Sequence, residues 1–167
     1  MEIFIVEANK KDAQNMLNFL KQIGSETNNL TFGKEGFGDD VEKEEKVLDL
    51  YSKSQGCILL AKNSEKKIVA MCSLLVSDRP RLSHKGEIAI SVLKEFWNLG
   101  IGKALLKKLI CIAKEKGLYK LDLKVAQDNF NAIHLYEKIG FVRKGEEDGM
   151  LYVEGKHIKG YFYELIL

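Results

Sequence analysis

Glu87 to Lys116 reads EIAISVLKEFWNLGIGKALLKKLICIAKEK. It opens as a strand, because Ile88, Ile90 and Val92 alternate with Ala89 and Ser91 at the period of a pleated chain. It restarts as a helix, in which Leu105, Leu109, Ile110 and Ala113 form one face and Lys103, Lys107, Lys108 and Lys114 serve the wet side. Trp97-Asn98-Leu99-Gly100-Ile101-Gly102 lies between them. A strand that runs through glycines into a helix N-terminus leaves backbone N–H groups unpaired and converging. Such a point attracts an anion, phosphate above all.

Two phosphate loops fail the test of spacing. A P-loop needs a glycine five residues before Gly102 and a hydroxyl after Lys103, and Trp97 and Ala104 stand there. A dinucleotide fingerprint accepts Gly100 and Gly102 but finds Leu105 at its third glycine.

At 167 residues the length suggests one domain, 1–167. With 46% hydrophobic and 30% charged residues the chain reads as soluble and able to build a core. A net charge of +2, with lysines spread along helices, gives no reason to expect nucleic acid or an anionic membrane as partner. Cys57, Cys72 and Cys111 sit in apolar stretches without CxxC spacing. They read as reduced, buried thiols of a cytoplasmic protein. The N-terminal MEIFIVEANKKDA does not read as a signal peptide. No run approaches the ~20 apolar residues of a membrane span.

In chain order, Ile3 to Val6 reads as a strand. Asn9 caps a helix whose face is Ala13, Met16, Leu17, Leu20 and Ile23, and Gly24 ends it. Ser25 to Asp40 is polar, glycine-rich and irregular, which suits a binding loop or a surface connection. Val41 to Lys53 returns to helix, with Val47, Leu48 and Leu50 inward and its acidic run outward. Gly56–Lys62 and Ile68–Ser77 form a hairpin across Asn63–Lys66. Asp78–Lys85, with the only proline, is a loop. Gly117 stops the central helix, and Leu121, Leu123 and Val125 mark the next strand. Asn129 opens a helix that Gly140 closes, and a strand begins at Phe141-Val142. Gly145 to Gly160 reads as a turn-rich connection and Tyr161 to Leu167 as a closing strand. This is an α/β domain with a mixed, mostly antiparallel sheet of six to seven strands and helices on both faces.

Asn129 to Phe141, NFNAIHLYEKIGF, resembles the motif NxxAxxLYxxxGF through Asn129, Ala132, Leu135, Tyr136, Gly140 and Phe141. The glycine turn resembles (Q/R)xxGx(G/A). In this order, one helix and one strand apart, the two motifs resemble the GCN5-related N-acetyltransferases (GNAT). Trp97 departs from the family's Gln or Arg.

The resemblance implies a cytoplasmic acyltransferase that uses acetyl-CoA as cosubstrate, without a metal. It would move acetyl to a primary amine of a small molecule or a protein N-terminus, by direct attack in a ternary complex. It also allows an acyl-CoA-binding sensor or regulatory module without efficient catalysis. By resemblance Ile90, Ser91 and Val92 pair with the pantetheine arm, and the oxyanion donor lies near Val92 or Leu93. Asn98, Leu99, Gly100, Ile101, Gly102 and Lys103 hold the pyrophosphate, Asn129 reaches the pantetheine, and Tyr136 is the general acid. The base is less defined. Some family members carry a glutamate five residues before the motif asparagine, where this chain has Lys124. Glu87 shares a strand face with the small Ala89 and Ser91 and is the first candidate, ahead of Glu26 and Asp122. His134 reads as surface. The apolar last strand, YFYELIL, would offer a homodimer an edge to pair with.

Overall fold

The computed structural model describes residues 2–167. Strand β1 (Ile3–Glu7) leads through a short turn to α1 (Ala13–Glu26) and α2 (Val41–Lys53). Strands β2 (Cys57–Asn63), β3 (Ile68–Val76) and β4 (Lys85–Val92) follow, then α3 (Ile101–Glu115). The chain closes with β5 (Lys120–Ala126), α4 (Phe130–Ile139), β6 (Val142–Val153) and β7 (Lys156–Ile166).

The seven strands form one sheet in the order β1-β2-β3-β4-β5-β7-β6. Every neighbouring pair is antiparallel except β4 with β5. That parallel pair comprises only Lys85 with Lys120, Gly86 with Leu121 and Glu87 with Asp122. Beyond Glu87 the two strands part. β2 is buried on both faces from Cys57 to Ala61, as a strand with helices above and below it must be. α3 covers the face of Ile90 and Val92, and α1 and α2 cover the other face at β3 and β2, leaving β4 open there. Leu59, Leu60, Leu74, Leu105, Leu106, Leu109 and Leu121 are fully buried at the centre. Asp12 anchors the start of α1 by accepting from the Asn9 N–H at 3.0 Å and from Lys62 Nζ at 2.5 Å on β2.

Several local readings are corrected. Gly24 does not end α1, which runs on to Glu26. Its glycine is needed because a side chain there would fall on the Gly33 carbonyl of the returning loop. Leu50 is exposed, two helix positions from the buried Leu48 and so on the opposite side. Glu44, one turn before Leu48, is buried instead of joining the acidic outer face. Burial raises its carboxyl pKa. Cys111 is exposed, because Leu109 and Ala113 hold the buried face on either side of it. Gly145 to Gly160 is not a connection but most of a long hairpin, with β6 reaching Val153 and β7 starting at Lys156. Its turn holds Glu154 and Gly155 at positive φ, the conformation that a tight hairpin demands. The last strand has no edge to offer, because β7 lies between β5 and β6 and pairs with both.

Gly24→Ala forces backbone against backbone, so it should lower stability by about 1–3 kcal/mol. Gly145→Ala, whose added carbon would meet only Phe162 at 3.9 Å, should change it little. Urea denaturation of both variants checks the difference.

Candidate active site

The parting of β4 from β5 decides which backbone groups stay open. Leu93 donates its N–H to the Val69 carbonyl at 3.0 Å, so residues 69 and 93 form a hydrogen-bonded pair. Hydrogen-bonded pairs alternate along an antiparallel ladder. Ser91 and Ala89 therefore bond to β3, and Val92 and Ile90 turn their N–H and C=O groups the other way. On that side β5 has already left. Of the two donors expected near the reacting carbonyl, Leu93 is occupied and Val92 is open.

The open edge runs into an anion cradle. Asn98 and Gly100 adopt positive φ of 61° and 78°, and α3 starts at Ile101. Among the described residues, the N–H groups from Asn98 to Lys103 have no hydrogen-bond partner, and the ladder resumes with Ala104 donating to Gly100. Successive free N–H groups at a helix start form a concave anion site. A Cβ at Gly102 would meet Leu135 at 3.2 Å and Ile90 and Val92 at 3.7 Å. The helix start therefore lies close against β4 and α4, with room at 102 for no more than a small side chain. Trp97 adds no charge to the cradle. Its indole N–H turns back and donates to the Val92 carbonyl at 2.7 Å.

α1 closes one side. Glu26 accepts from the Lys94 N–H at 2.8 Å and from Gln22 Nε2 at 3.1 Å, fastening the end of α1 to the turn after β4. α4 closes the other side. Asn129 caps it by accepting from the Ala132 N–H at 3.4 Å, and Asn131, His134 and Lys138 follow on one face. The cavity holds about 370 Å³ and takes in Ile90 to Val92, Asn98, Gly100 to Lys103 and Asn129. Its positive side chains are Lys103 and Lys138. Thr27, Asn29 and Leu30 reach it from the irregular loop.

Tyr136 is buried, with its ring against Phe141 at 5.8 Å. Its hydroxyl has no hydrogen-bond partner among the described residues. No sealed side-chain oxygen there lacks a partner, so the hydroxyl opens onto accessible space. Burial raises its pKa far above that of an ordinary phenol, with a further contribution from the Cys72 thiol. Cys72 pairs with Ile90, which puts Tyr136 on the α3 side of β4. Tyr163, nearby on β7, donates to Glu137 at 2.8 Å, and burial together with that bond pushes its pKa up to about 12.

Glu87 lies elsewhere. It faces away from α3 and lines a second depression of about 330 Å³ with Lys120, Asp122, Lys124, Phe162 and Glu164. Lys120 binds Asp122 at 3.0 Å and Glu164 at 2.9 Å. Lys124 binds Glu147 at 3.0 Å and stands 4.8 Å over the Phe162 ring. Glu87 has no ion-pair partner among the described residues. Ser91, on the same strand face as Glu87, also lines the first cavity. The structure thus brings together Ile90 to Val92, Asn98, Gly100 to Lys103 and Asn129, and it leaves Glu87, Leu99 and Tyr136 outside that lining. Glu26 and Asp122 are already engaged. His134 is exposed, as read, yet borders the cavity. The irregular segment read as a binding loop or a surface connection does border the cavity, through Thr27, Asn29 and Leu30. Sequence reasoning missed Lys138, whose i, i+4 spacing from His134 was its only local signal.

The profile of the Acetyltransferase (GNAT) family matches residues 21–141. The crystal structure of a GNAT-family acetyltransferase from Streptococcus pneumoniae is 32% identical, covers 99% of this chain and 100% of that one, and aligns with a TM-score of 0.95. An L-amino acid N-acetyltransferase of Escherichia coli is 28% identical over 96 residues, 57% of this chain and 59% of that protein. A ribosomal-protein alanine N-acetyltransferase of Haemophilus influenzae is 50% identical over 52 residues, 31% of this chain and 35% of that protein. The chain therefore spans less than two thirds of the length of these curated relatives. No helix among the described residues is long and apolar enough to cross a membrane.

Trp97 is the only tryptophan, borders the cavity and is 37% exposed. Coenzyme A should displace water from its ring and shift its emission to shorter wavelength. An unchanged spectrum at saturation, verified by calorimetry, would put the ligand away from Trp97.

Proposed function

The chain belongs to the acetyltransferase (GNAT) family, and from that premise we propose that it transfers acetyl from acetyl-CoA to a primary amine by direct attack in a ternary complex. The observation that carries this reading is one continuous surface. The open backbone of Ile90 and the Val92 N–H line the same cavity as the glycine turn, whose N–H groups from Asn98 to Lys103 are free. The cradle has the donors a pyrophosphate needs, and the small residue at position 102 keeps its approach clear. Acetyl-CoA would supply an activated acyl carbon and a thiolate leaving group.

On this reading Asn98 to Lys103 hold the pyrophosphate, and the Lys103 ammonium adds charge. Ile90, whose N–H and C=O are both open, pairs with the amide-bearing arm. Asn129 uses its side-chain oxygen as a helix cap, which leaves its NH₂ to donate to that arm. The Val92 N–H points at the carbonyl oxygen where charge develops. The amine nitrogen forms a bond to the carbonyl carbon, the carbon–sulfur bond breaks, and the amine gives up a proton. Glu87 accepts that proton through water from the open face of β4. Tyr136 delivers a proton toward the departing sulfur and regains one from solvent. Its raised pKa keeps it protonated through the working range. A thiol pKa of about 8.5 makes the sulfur a competent leaving group, so the acid contributes moderately.

Relatives named for L-amino acids and for a ribosomal-protein alanine support free amino acids and protein N-termini as the first acceptors to test. Mass spectrometry of products from acetyl-CoA with amino acids, polyamines, aminoglycosides and peptides tests the reading. One class acetylated above the enzyme-free control supports it. Confirmed acetyl-CoA binding without product from any class would favour the sensor.

Tyr136→Phe should lower kcat about tenfold and leave acetyl-CoA affinity nearly unchanged. The ratio of parent to variant should stay flat from about pH 6 to about pH 10, since a raised phenol pKa removes tyrosine ionisation from that range. Glu87→Gln should lose most at low pH and recover as the free-amine fraction grows. Equal rates of parent and variant across the profile would remove either residue from the mechanism.

A further inference from the structure

Trp97 occupies the place where the family resemblance leads one to expect Gln or Arg. Its indole carries no charge and does not point into the cradle. Nε1–H donates to the Val92 carbonyl at 2.7 Å. The next N–H of the same peptide unit, that of Leu93, donates to the Val69 carbonyl at 3.0 Å. The peptide plane between Val92 and Leu93 is thus held at both ends.

A strand residue turns its N–H and C=O to the same side. The Val92 carbonyl and N–H therefore stand side by side where β5 has left, at the wall of the cavity. An unpaired carbonyl there would aim the negative end of a dipole at the place where a thioester oxygen gains charge. It would also compete for any donor meant for the ligand. With the indole on the carbonyl, the N–H is the open group that remains.

We propose that Trp97 is a positioning residue for the thioester: its indole N–H ties down the Val92 carbonyl so that the Val92 N–H stands alone as the backbone donor to the reacting carbonyl. The proposal rests on the acetyl-transfer reading. It assigns Trp97 to the chemical end of the donor, where the loop around it serves the phosphate end.

Two variants separate the N–H from the ring. Trp97→Phe removes the donor and part of the ring. Replacement by β-(3-benzothienyl)alanine keeps the two-ring shape and exchanges only the N–H for sulfur, which guards against a packing defect. The readout is the carbonyl stretch of bound acetyl-CoA, labelled with carbon-13 at the thioester carbonyl, in infrared difference spectra. The unmodified protein should lower the stretch relative to water, and both variants should return it toward the solution value. Calorimetric affinity for coenzyme A should stay within about twofold, and kcat with an accepted amine should fall about tenfold. An unchanged stretch in the benzothienyl variant overturns the proposal. So does an equal loss of affinity for coenzyme A and acetyl-CoA, which would assign Trp97 to the body of the donor. If the unmodified protein itself fails to bind acetyl-CoA, the acetyl-transfer reading falls first and takes the proposal with it.

Discussion

Three residue pairs join β4 to β5, and the site depends on there being no fourth. Continued pairing would consume the N–H and C=O groups of Ile90 and Val92 and close the cavity. Parting leaves both Ile90 groups and the Val92 N–H without a protein partner, the Val92 carbonyl being taken by Trp97, and a backbone group shut away from water costs about 1–3 kcal/mol. The cavity keeps them wet until a ligand replaces the water. α4 limits the exposure, because its Leu135 reaches the start of α3 beside Ile90 and Val92 and lines the cavity. Binding capacity here is thus a sheet left incomplete and a helix that keeps it from collapsing.

The glycine turn depends on the same parting. Gly102 brings the start of α3 within reach of Ile90 and Val92, so the cradle and the open strand edge share one wall. Asn98 is held at positive φ, which for a residue other than glycine is disfavoured, though least so for asparagine. Two contacts hold the turn in place from outside it. Glu26 fixes the Lys94 N–H, and Trp97 fixes the Val92 carbonyl. Backbone donors supply most of the cradle. The cations nearby, Lys103 and Lys138, stand at an accessible rim, where salt screens them more than it would a buried charge.

What could be read from the sequence was what local physics determines. The alternation of Ile88, Ile90 and Val92, the glycines at 100 and 102 and the face of α3 each depend on neighbours a few residues away. They gave the strand, the turn and the helix, and with Asn129 to Phe141 they gave the family. The errors share another cause. Gly24 answers to Gly33 across a loop. The long β6 is largely polar and carries Gly145 and Gly149, so it reads as turn until β7 supplies the partner that makes it a strand. The exposure of the last strand could not be judged without knowing that β6 lies outside it. Trp97 looked like a departure because its partner, the Val92 carbonyl, is a backbone atom that no motif records.

The two faces of β4 also bear on how acid and base can coexist. Even-numbered residues turn toward α3, where Tyr136 sits near Cys72 and Ile90. Odd-numbered residues turn to the open side, where Glu87 and Ala89 are exposed and Ser91 reaches the cavity. In the proposed roles the amine approaches along Glu87, Ala89 and Ser91, and the sulfur departs toward Tyr136. The strand stands between the group that takes a proton and the group that gives one. A carboxylate within hydrogen-bond reach of the phenol would compete with the sulfur for the phenolic proton. Separation by the strand removes that exchange, and the shared end at Ser91 and Val92 is the place where both substrates can meet.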